Sequence, residues 1–523
     1  ELSFGPNDID RAVEVMRGAN LIIGHNIIFY DMPVITRKYG DISTPIYDTL
    51  IVSRLMYPDK RSHPLGGNSL KCWGEHLGFP KIDYNGGWDA YSEEMMYYCV
   101  QDTRIAAEIF HKQQAYVKSS PKITKLEHMV SVIISDQMCN GFGFNVDKAI
   151  DLEQELLYEK ASIEDEMRII FPDIIEERYS DKTGKRLKDK ITVFNPSSRQ
   201  QIASRLKDKY GWKYPLTDKG NPKVDAEVVK GLTYPEAEEL SKYFDIIKTM
   251  SFLKDWITRA LNSRDGRIHS GVNPQGTVTG RMTSSQPNLQ QVTSDRKVRE
   301  LFVPRKGWKQ VGIDASGLEA RMLASRMSPW DNGQYGKVVV EGDIHQTNME
   351  ATGITKRADV KTFFYGFIYG AGDAKVGKII GKDAQAGKEL KEKFLSNLPA
   401  LRKLIESCKF QSLKKKTITL LDGREAPCRS EHSSLNVQLQ GDGAIVMKLA
   451  QCIFADRIAK LYKGRALFMA TVHDEWQLEC ESDIAEEVGK LGVDSIKEAG
   501  ERLGCLVPMD GEYKIGNNWW DCH

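Results

Sequence analysis

The sequence predicts a mixed α/β chain of roughly two to four domains, organised around one strand–turn–helix segment and two further stretches. In VGIDASGLEARMLA (Val311–Ala324), Val311 and Ile313 alternate with Gly312 as in a strand, and Asp314 stands at its end. After the Ala315–Ser316–Gly317 turn, Leu318, Met322 and Leu323 take up helical spacing. A carboxylate at such a turn suits a divalent cation with phosphate ligands; the plainer alternative is a helix cap. In RADVKTFFYGFIYGAGDAK, Arg357, Lys361, Tyr365 and Tyr369 each lie four apart, along one helix face. Two cations followed by two tyrosines suit a triphosphate whose base stacks further along. Phe363, Phe364, Phe367 and Ile368 make the helix too apolar to lie free on a surface. ALFMATVHDEWQLEC (Ala466–Cys480) reads as two strands meeting at a turn, with His473, Asp474 and Glu475 at its tip. Alone, that tip is equally a solvated hairpin turn.

Composition sets the bounds. The 523 residues, 41% hydrophobic and 28% charged, are those of an ordinary globular chain. No apolar run approaches the roughly 18 residues of a membrane span. A net charge of +1 gives no global sign of nucleic-acid binding, so any basic surface is local. Nine cysteines without CxxC pairs point to reduced thiols rather than disulfides or zinc. The chain opens on Glu1, in mid-pattern, as a fragment of a longer protein would.

The remaining elements follow in order. Ile9–Tyr39 reads as a helix, a strand at Asn20–Ile23, and a helical run opened by Asp31. Tyr47–Met56 reads as strand into helix. The amphipathic helix Tyr91–Ile109 sets Tyr98 and Asp102 one turn apart. That pair suits a metal-ligating carboxylate beside a water-orienting phenol, or else an ordinary acid on an exposed helix. Lys122–Phe171 reads as two long helices broken at Asn140–Phe144. Glu177–Ile191, turning at Asp181–Gly184, reads as a short basic hairpin or a charged loop. Asn195–Arg199 caps a helix to about Lys209. Gly266–Val292 alternates strand patterns with turns, and Arg281, Ser284, Asn288 and Gln291 offer donors. Lys391–Phe410 reads as one helix, and Lys414–Lys416 leads into a hairpin turning at Asp422–Gly423. Ser433–Ala450 continues as an apolar helix with Asn436 and Gln440 on one face.

In order and spacing, the three leading stretches resemble motifs A, B and C of the family A DNA polymerases, the DNA polymerase I family. Asp314, Ser316 and Glu319 match motif A. Arg357, Lys361, Tyr365 and Tyr369–Gly370 match motif B, and Val472–Glu475 match motif C. DNGQYGKVVVEGDIHQ and the ending GNNWWDCH are similar to the family's phage replicative branch, and the resemblance covers essentially the whole chain. It implies a right-hand α/β (α+β) polymerase fold with an N-terminal RNase H-like DEDD 3′–5′ exonuclease domain. The implied boundaries are exonuclease 1–118, thumb 119–265 with hairpin 177–191, palm 266–328 and 441–523, and fingers 329–440.

The implied activity is template-directed addition of dNTPs to a primer 3′-OH during phage replication. Two Mg²⁺ ions (Mn²⁺ being a substitute) would be held by Asp314, Asp474 and the Ala315 carbonyl. Arg357, Lys361 and His345 would bind the triphosphate, with Lys361 also the proton donor to pyrophosphate. Tyr365 and Tyr369 would face the nucleotide, and Glu319 would stand against a ribose 2′-OH. Arg281, Asn436, Gln440 and His473 would contact DNA, and Glu475 would support metal or water. Asp31, Tyr98 and Asp102 resemble exonuclease motifs II and III, but no Asp-x-Glu strand of motif I stands before them, so little exonuclease activity is expected of this chain. A podophage member of the family recruits host thioredoxin through a long thumb insertion before the segment matching Phe194–Arg199. Only the short hairpin stands here, so thioredoxin is not an expected partner. A phage helicase-primase is a candidate partner, and the cytoplasm of the infected bacterium the expected location. A single-subunit RNA polymerase is disfavoured by Glu319, a degradative nuclease by the three polymerase motifs, and an inert DNA-binding scaffold by the presence of both aspartates.

Overall fold

The computed structural model describes residues 2–523. The chain forms two compact units. The larger holds residues up to Phe142, His269–Thr293 and Val303–His523; the smaller holds Gly143–Ile268 and Ser294–Phe302.

A four-stranded sheet centres the larger unit, in the order Ala466–Val472, Glu475–Glu481, Trp308–Ala315, Gly511–Gly516, with every neighbouring pair antiparallel. β-Branched Val311 and Ile313 make Trp308–Ala315 a good central strand, and both are fully buried. Between them, Gly312 leaves room for another part of the chain: a Cβ there would lie 2.2 Å from the Cys522 carbonyl oxygen. That close approach lets the final residues cross the sheet. The helix Ser434–Leu461 is apolar around most of its circumference and is accordingly buried. It packs beside Ala485–Arg502 and Pro121–Asn140.

The helices Pro121–Asn140 and Val146–Ile170 break where expected, but they part company. The first belongs to the larger unit, packing against Ser434–Leu461 and the strand Ala466–Val472. The boundary between the two compact units falls at Phe142–Gly143, and Ser294–Phe302 belongs to the smaller unit. The expected helix Lys391–Phe410 is two, Ala384–Asn397 and Pro399–Lys415. Pro399 has no N–H to continue the first helix and is well suited to start the second.

Near the N-terminus, Ile22–Gly24 and Ile46–Asp48 pair in parallel over a core of Ile22, Ile27, Ile28, Met32 and Ile51. Buried Asp48 accepts from the backbone amides of Asn26, Ile28 and Leu50, at 2.8, 3.2 and 2.9 Å. In the smaller unit, Val146–Ile170 packs along Ala237–Asn262, and Phe144, Trp256 and Phe302 meet edge to face. Ile174–Tyr179 and Arg186–Thr192 form the predicted hairpin, nearly all of it exposed. Lys160 there is bound to Glu164 at 2.7 Å. No helix among the described residues is long and apolar enough to cross a membrane.

Candidate active site

Asp314 lies near the end of the central strand, in register with Glu475 on one side and Glu512 on the other. Asp474 occupies the two-residue turn between the strands Ala466–Val472 and Glu475–Glu481, where His473 takes a left-handed φ of +57°. The Ala315 amide donates to the Asp474 carbonyl at 3.2 Å, so the two acidic positions are joined through backbone. The helix-cap reading of Asp314 fails: Gly317 is the N-cap of Leu318–Asp331, with no side-chain cap.

The charge here is unbalanced. Burial, with Asp474, Glu475 and Glu512 nearby, pushes the Asp314 carboxyl up to about 7. Burial and Glu319 likewise raise Asp474. Carboxylates destabilised by one another favour a cation. Among the described residues no three His, Cys, Asp or Glu side chains form a metal cluster, so an ion here would also need backbone or substrate oxygens.

Glu475 is not at the hairpin tip. It begins the strand Glu475–Glu481, buried, because three donors converge on it from the sheet and the chain end. Trp519 Nε1 donates at 2.9 Å, His523 Nδ1 lies at 3.1 Å, and Gln477 Nε2 also donates. Burial alone would raise its pKa, and these hydrogen bonds more than offset that. The ending GNNWWDCH was legible as a resemblance, but nothing local in it marked Trp519 and His523 as partners of Glu475.

The cationic helix spans Arg357–Ile368, with Tyr369 as its C-cap. Arg357, Lys361 and Tyr369 are exposed and Tyr365 half-buried, while Val360, Phe363, Phe364 and Ile368 face the core. The rings of Tyr365 and Tyr369 lie 6.4 Å apart. Arg357 Nη1 donates to Asp343 Oδ2 at 2.5 Å, and Asp343 caps the helix that carries His345. Burial, then the Arg357 charge, lowers the pKa of His345, with Lys361 adding to the effect. Arg281 Nη2 and the Tyr369 hydroxyl both donate to Glu319 Oε1, at 3.0 and 2.9 Å. Asn436 and Gln440 are half-buried on one face of their helix, whereas Gln438 turns inward to Asp442 and the Thr419 carbonyl.

The family description "DNA polymerase family A" matches residues 175–521. This chain belongs to DNA polymerase family A and is a DNA-directed DNA polymerase. The polymerase is 30% identical to the DNA-directed DNA polymerases of Enterobacteria phage T3 and Escherichia phage T7. Those alignments cover 98% and 100% of this chain and 93% and 96% of the relatives. In fold it is similar to the POL domain of Pol1 from M. smegmatis, described in complex with DNA primer-template and dNTP. The TM-score is 0.80 at 18% identity, covering 99% of this chain and 90% of the other.

In the N-terminal part of the polymerase, the second acidic group is differently arranged. Asp102 Oδ2 binds Lys81 Nζ at 2.5 Å, and the same ammonium lies 4.5 Å from the Tyr98 ring centroid. Asp31 opens its helix as expected. Burial raises the Cys99 thiol pKa, Asp102 and Asp31 act in the same direction and Lys81 opposes them, so the two aspartates share a neighbourhood. Lys81 carried no sequence signal: it precedes Asp102 by 21 residues, in an irregular stretch.

Proposed function

We propose that the polymerase extends a primer by two-metal deoxynucleotidyl transfer at a site formed by Asp314, Asp474 and the Ala315 carbonyl. The observation that carries this reading is the junction of the two acidic strand ends, with Asp314 pushed up to about 7 by burial and by neighbouring carboxylates. This donor set fits a divalent cation, which would relieve that repulsion. Two Mg²⁺ ions, or Mn²⁺ in their place, supply when bound activation of the attacking 3′-oxygen and charge neutralisation on the departing pyrophosphate.

Around that site, Arg357, Lys361 and His345 bind the triphosphate, and Lys361 donates a proton to pyrophosphate. Arg357 leaves Asp343 to do so, a surface exchange that costs little. Tyr365 faces the sugar, Tyr369 packs beside the nascent pair, and Glu319 stands against C2′. Arg281 reaches minor-groove acceptors at the primer end, where geometry is checked without reading sequence. Asn436 and Gln440 face the templating pair and primer, and His473 contacts the primer end. Glu475 supports the metal site from the adjacent strand. We read 266–328 and 441–523 as palm, 329–440 as fingers and 119–265 as thumb. Within those bounds, the first thumb helix, Pro121–Asn140, packs on the palm helix Ser434–Leu461, and Ser294–Phe302 clusters with Gly143–Ile268.

Residues 1–118 we read as an RNase H-like DEDD exonuclease domain whose metal site this chain does not complete. The residues present do not fit a metal there, because the Lys81 ammonium already binds Asp102. Primer–template DNA and dNTPs are the proposed partners, with a phage helicase-primase beside them and no role for thioredoxin, in the cytoplasm of the infected bacterium.

Primer extension by Asp314→Ala and Asp474→Ala tests the reading. Each should lose well over tenfold in rate while binding primer–template, since duplex affinity rests on phosphate contacts elsewhere. Extension by either variant within about tenfold of the parent would reject the metal assignment.

A further inference from the structure

Behind the proposed primer-contacting residues lies a buried charge cluster that the reaction does not use. Glu127, on the helix Pro121–Asn140, and Lys448, on Ser434–Leu461, are 0% and 2% exposed. Lys448 Nζ donates to both Glu127 oxygens, at 2.7 and 2.8 Å. Arg424 Nη1, from the hairpin before that helix, donates to Glu127 Oε1 at 2.6 Å, and Arg424 Nη2 donates to Asp422 Oδ2 at 2.7 Å. Two cations and two carboxylates are thus gathered from three elements and sum to zero. Removing such charges from water is costly, and an apolar core of the same volume is often as stable. Stability alone is therefore a weak reason for the cluster.

Its position supplies a stronger one. The two cations abut Gly280, which has a φ of +79°. A Cβ on Gly280 would lie 3.5 Å from Arg424 Nη1 and 3.9 Å from Lys448 Nζ. The turn is closed on itself by Gly280 N–H to the Thr277 carbonyl, at 3.0 Å, and Thr277 N–H to the Arg281 carbonyl, at 3.2 Å. Its next side chain is Arg281, held by Glu319. A small cavity of about 30 Å³ is lined by Gly280, Arg281 and Lys448 together with His473 and Asp474. The cluster, the turn and the end of the acidic hairpin therefore border one space.

We propose that Glu127, Lys448 and Arg424 are positioning residues that seat the Thr277–Arg281 turn, and so set how Arg281 inspects the primer terminus. The proposal rests on the reading of Arg281 as a minor-groove contact. A charged platform fixes a backbone turn more sharply than apolar packing does, because a fully hydrogen-bonded buried network holds its members in one directional arrangement, whereas apolar contacts are non-directional.

The test compares Glu127→Gln/Lys448→Met, Gly280→Ala, Arg281→Ala, and the first combined with Arg281→Ala. Single-nucleotide extension is measured from matched and mismatched primer ends, with melting as the control for folding. The neutral double variant keeps the packed volume and should melt near the parent. It should lose roughly tenfold in kcat on matched ends, keep dNTP KM within about threefold, and lose much less on mismatched ends. Arg281→Ala should reproduce this lowered matched-to-mismatched ratio, and the combination should be no worse than Arg281→Ala alone. Gly280→Ala perturbs the turn from its own backbone, because a side chain is strained at φ +79° while its methyl only reaches ordinary contact with the two cations; Arg424→Gln, which removes one cation from beneath the turn, decides the matter if the double variant does not fold. An unchanged ratio in the cluster and glycine variants, with Arg281→Ala impaired, would overturn the proposal. So would losses that add to those of Arg281→Ala, or an effect of the cluster with Arg281→Ala unimpaired. An unchanged ratio in every variant would instead overturn the reading of Arg281 on which the proposal stands.

Discussion

Tyr369 donates its phenolic hydrogen to Glu319 across 2.9 Å, tying the C-terminal end of the cationic helix to the helix that follows Asp314. Burial, then the Glu319 charge, raises the tyrosine's pKa, so the hydroxyl stays protonated and remains a donor. Glu319 is thereby held in one place. As the proposed block to a 2′-hydroxyl, it depends on that hold.

Glu319→Ala should therefore raise ribonucleotide incorporation strongly. Tyr369→Phe should raise it less, by roughly tenfold or under, because Arg281 still holds the carboxylate and one hydrogen bond contributes about 1 kcal/mol. Competition of rNTP against dNTP on one primer–template measures both. Unchanged selectivity in Glu319→Ala would remove Glu319 as the gate and reopen the RNA polymerase reading.

Tyr365 tests the register of the cationic helix. It is half-buried between exposed Lys361 and exposed Tyr369. Its hydroxyl is proposed to lie near the incoming sugar's C3′ and to fill in for the hydroxyl that a dideoxynucleotide lacks. The polymerase should then accept dideoxynucleotides readily. Tyr365→Phe should discriminate against them by roughly tenfold or more, since an unmade buried hydrogen bond costs about 1–3 kcal/mol. Equal ddNTP-to-dNTP ratios in the two proteins would place Tyr365 away from the sugar.

The 523-residue chain should degrade single-stranded DNA little or not at all. With Asp102 bound to Lys81, Asp31 is the one remaining carboxylate of the proposed set. Mg²⁺-dependent degradation that disappears in Asp102→Ala would contradict this.

His25 makes the fold sensitive to acid. Burial, aided by the Arg54 and Lys81 charges, lowers its pKa from 6.5 to about 4. The folded-state value is the depressed one, so between those values the unfolded chain binds the extra proton. His25's contribution to stability is complete above pH 6.5 and falls away as pH drops toward 4. At pH 5 the loss should be roughly 2 kcal/mol. Denaturant melts at pH 7 and pH 5 should show a smaller drop for His25→Gln than for the parent. Parallel drops would mean that His25 is not held neutral.

Much of the site was legible because it is written locally. Helical spacing set Arg357, Lys361 and Tyr369 on one exposed face with Phe363 and Phe364 behind them. Strand alternation with Asp314 at the end located the acidic turn. These patterns follow from the repeat of the backbone, which a short window of sequence reveals. Pro399 carried a local signal that the reading of Lys391–Phe410 as one helix overlooked: it cannot continue a helix, and the division falls there.

What only the tertiary structure decided are the pairings between distant segments. Lys448 and Glu127 are separated by 321 positions, and Arg424 and Glu127 by 297. Glu475 meets His523 and Trp519 because Gly312 leaves the space through which the last residues pass. Arg281 meets Glu319, and Lys81 meets Asp102, from segments with no shared periodicity. A lone charged residue in a sequence looks like a solvated one. Whether it is buried, and which opposite charge makes that burial tolerable, is set by how the elements pack, and no local repeat encodes it.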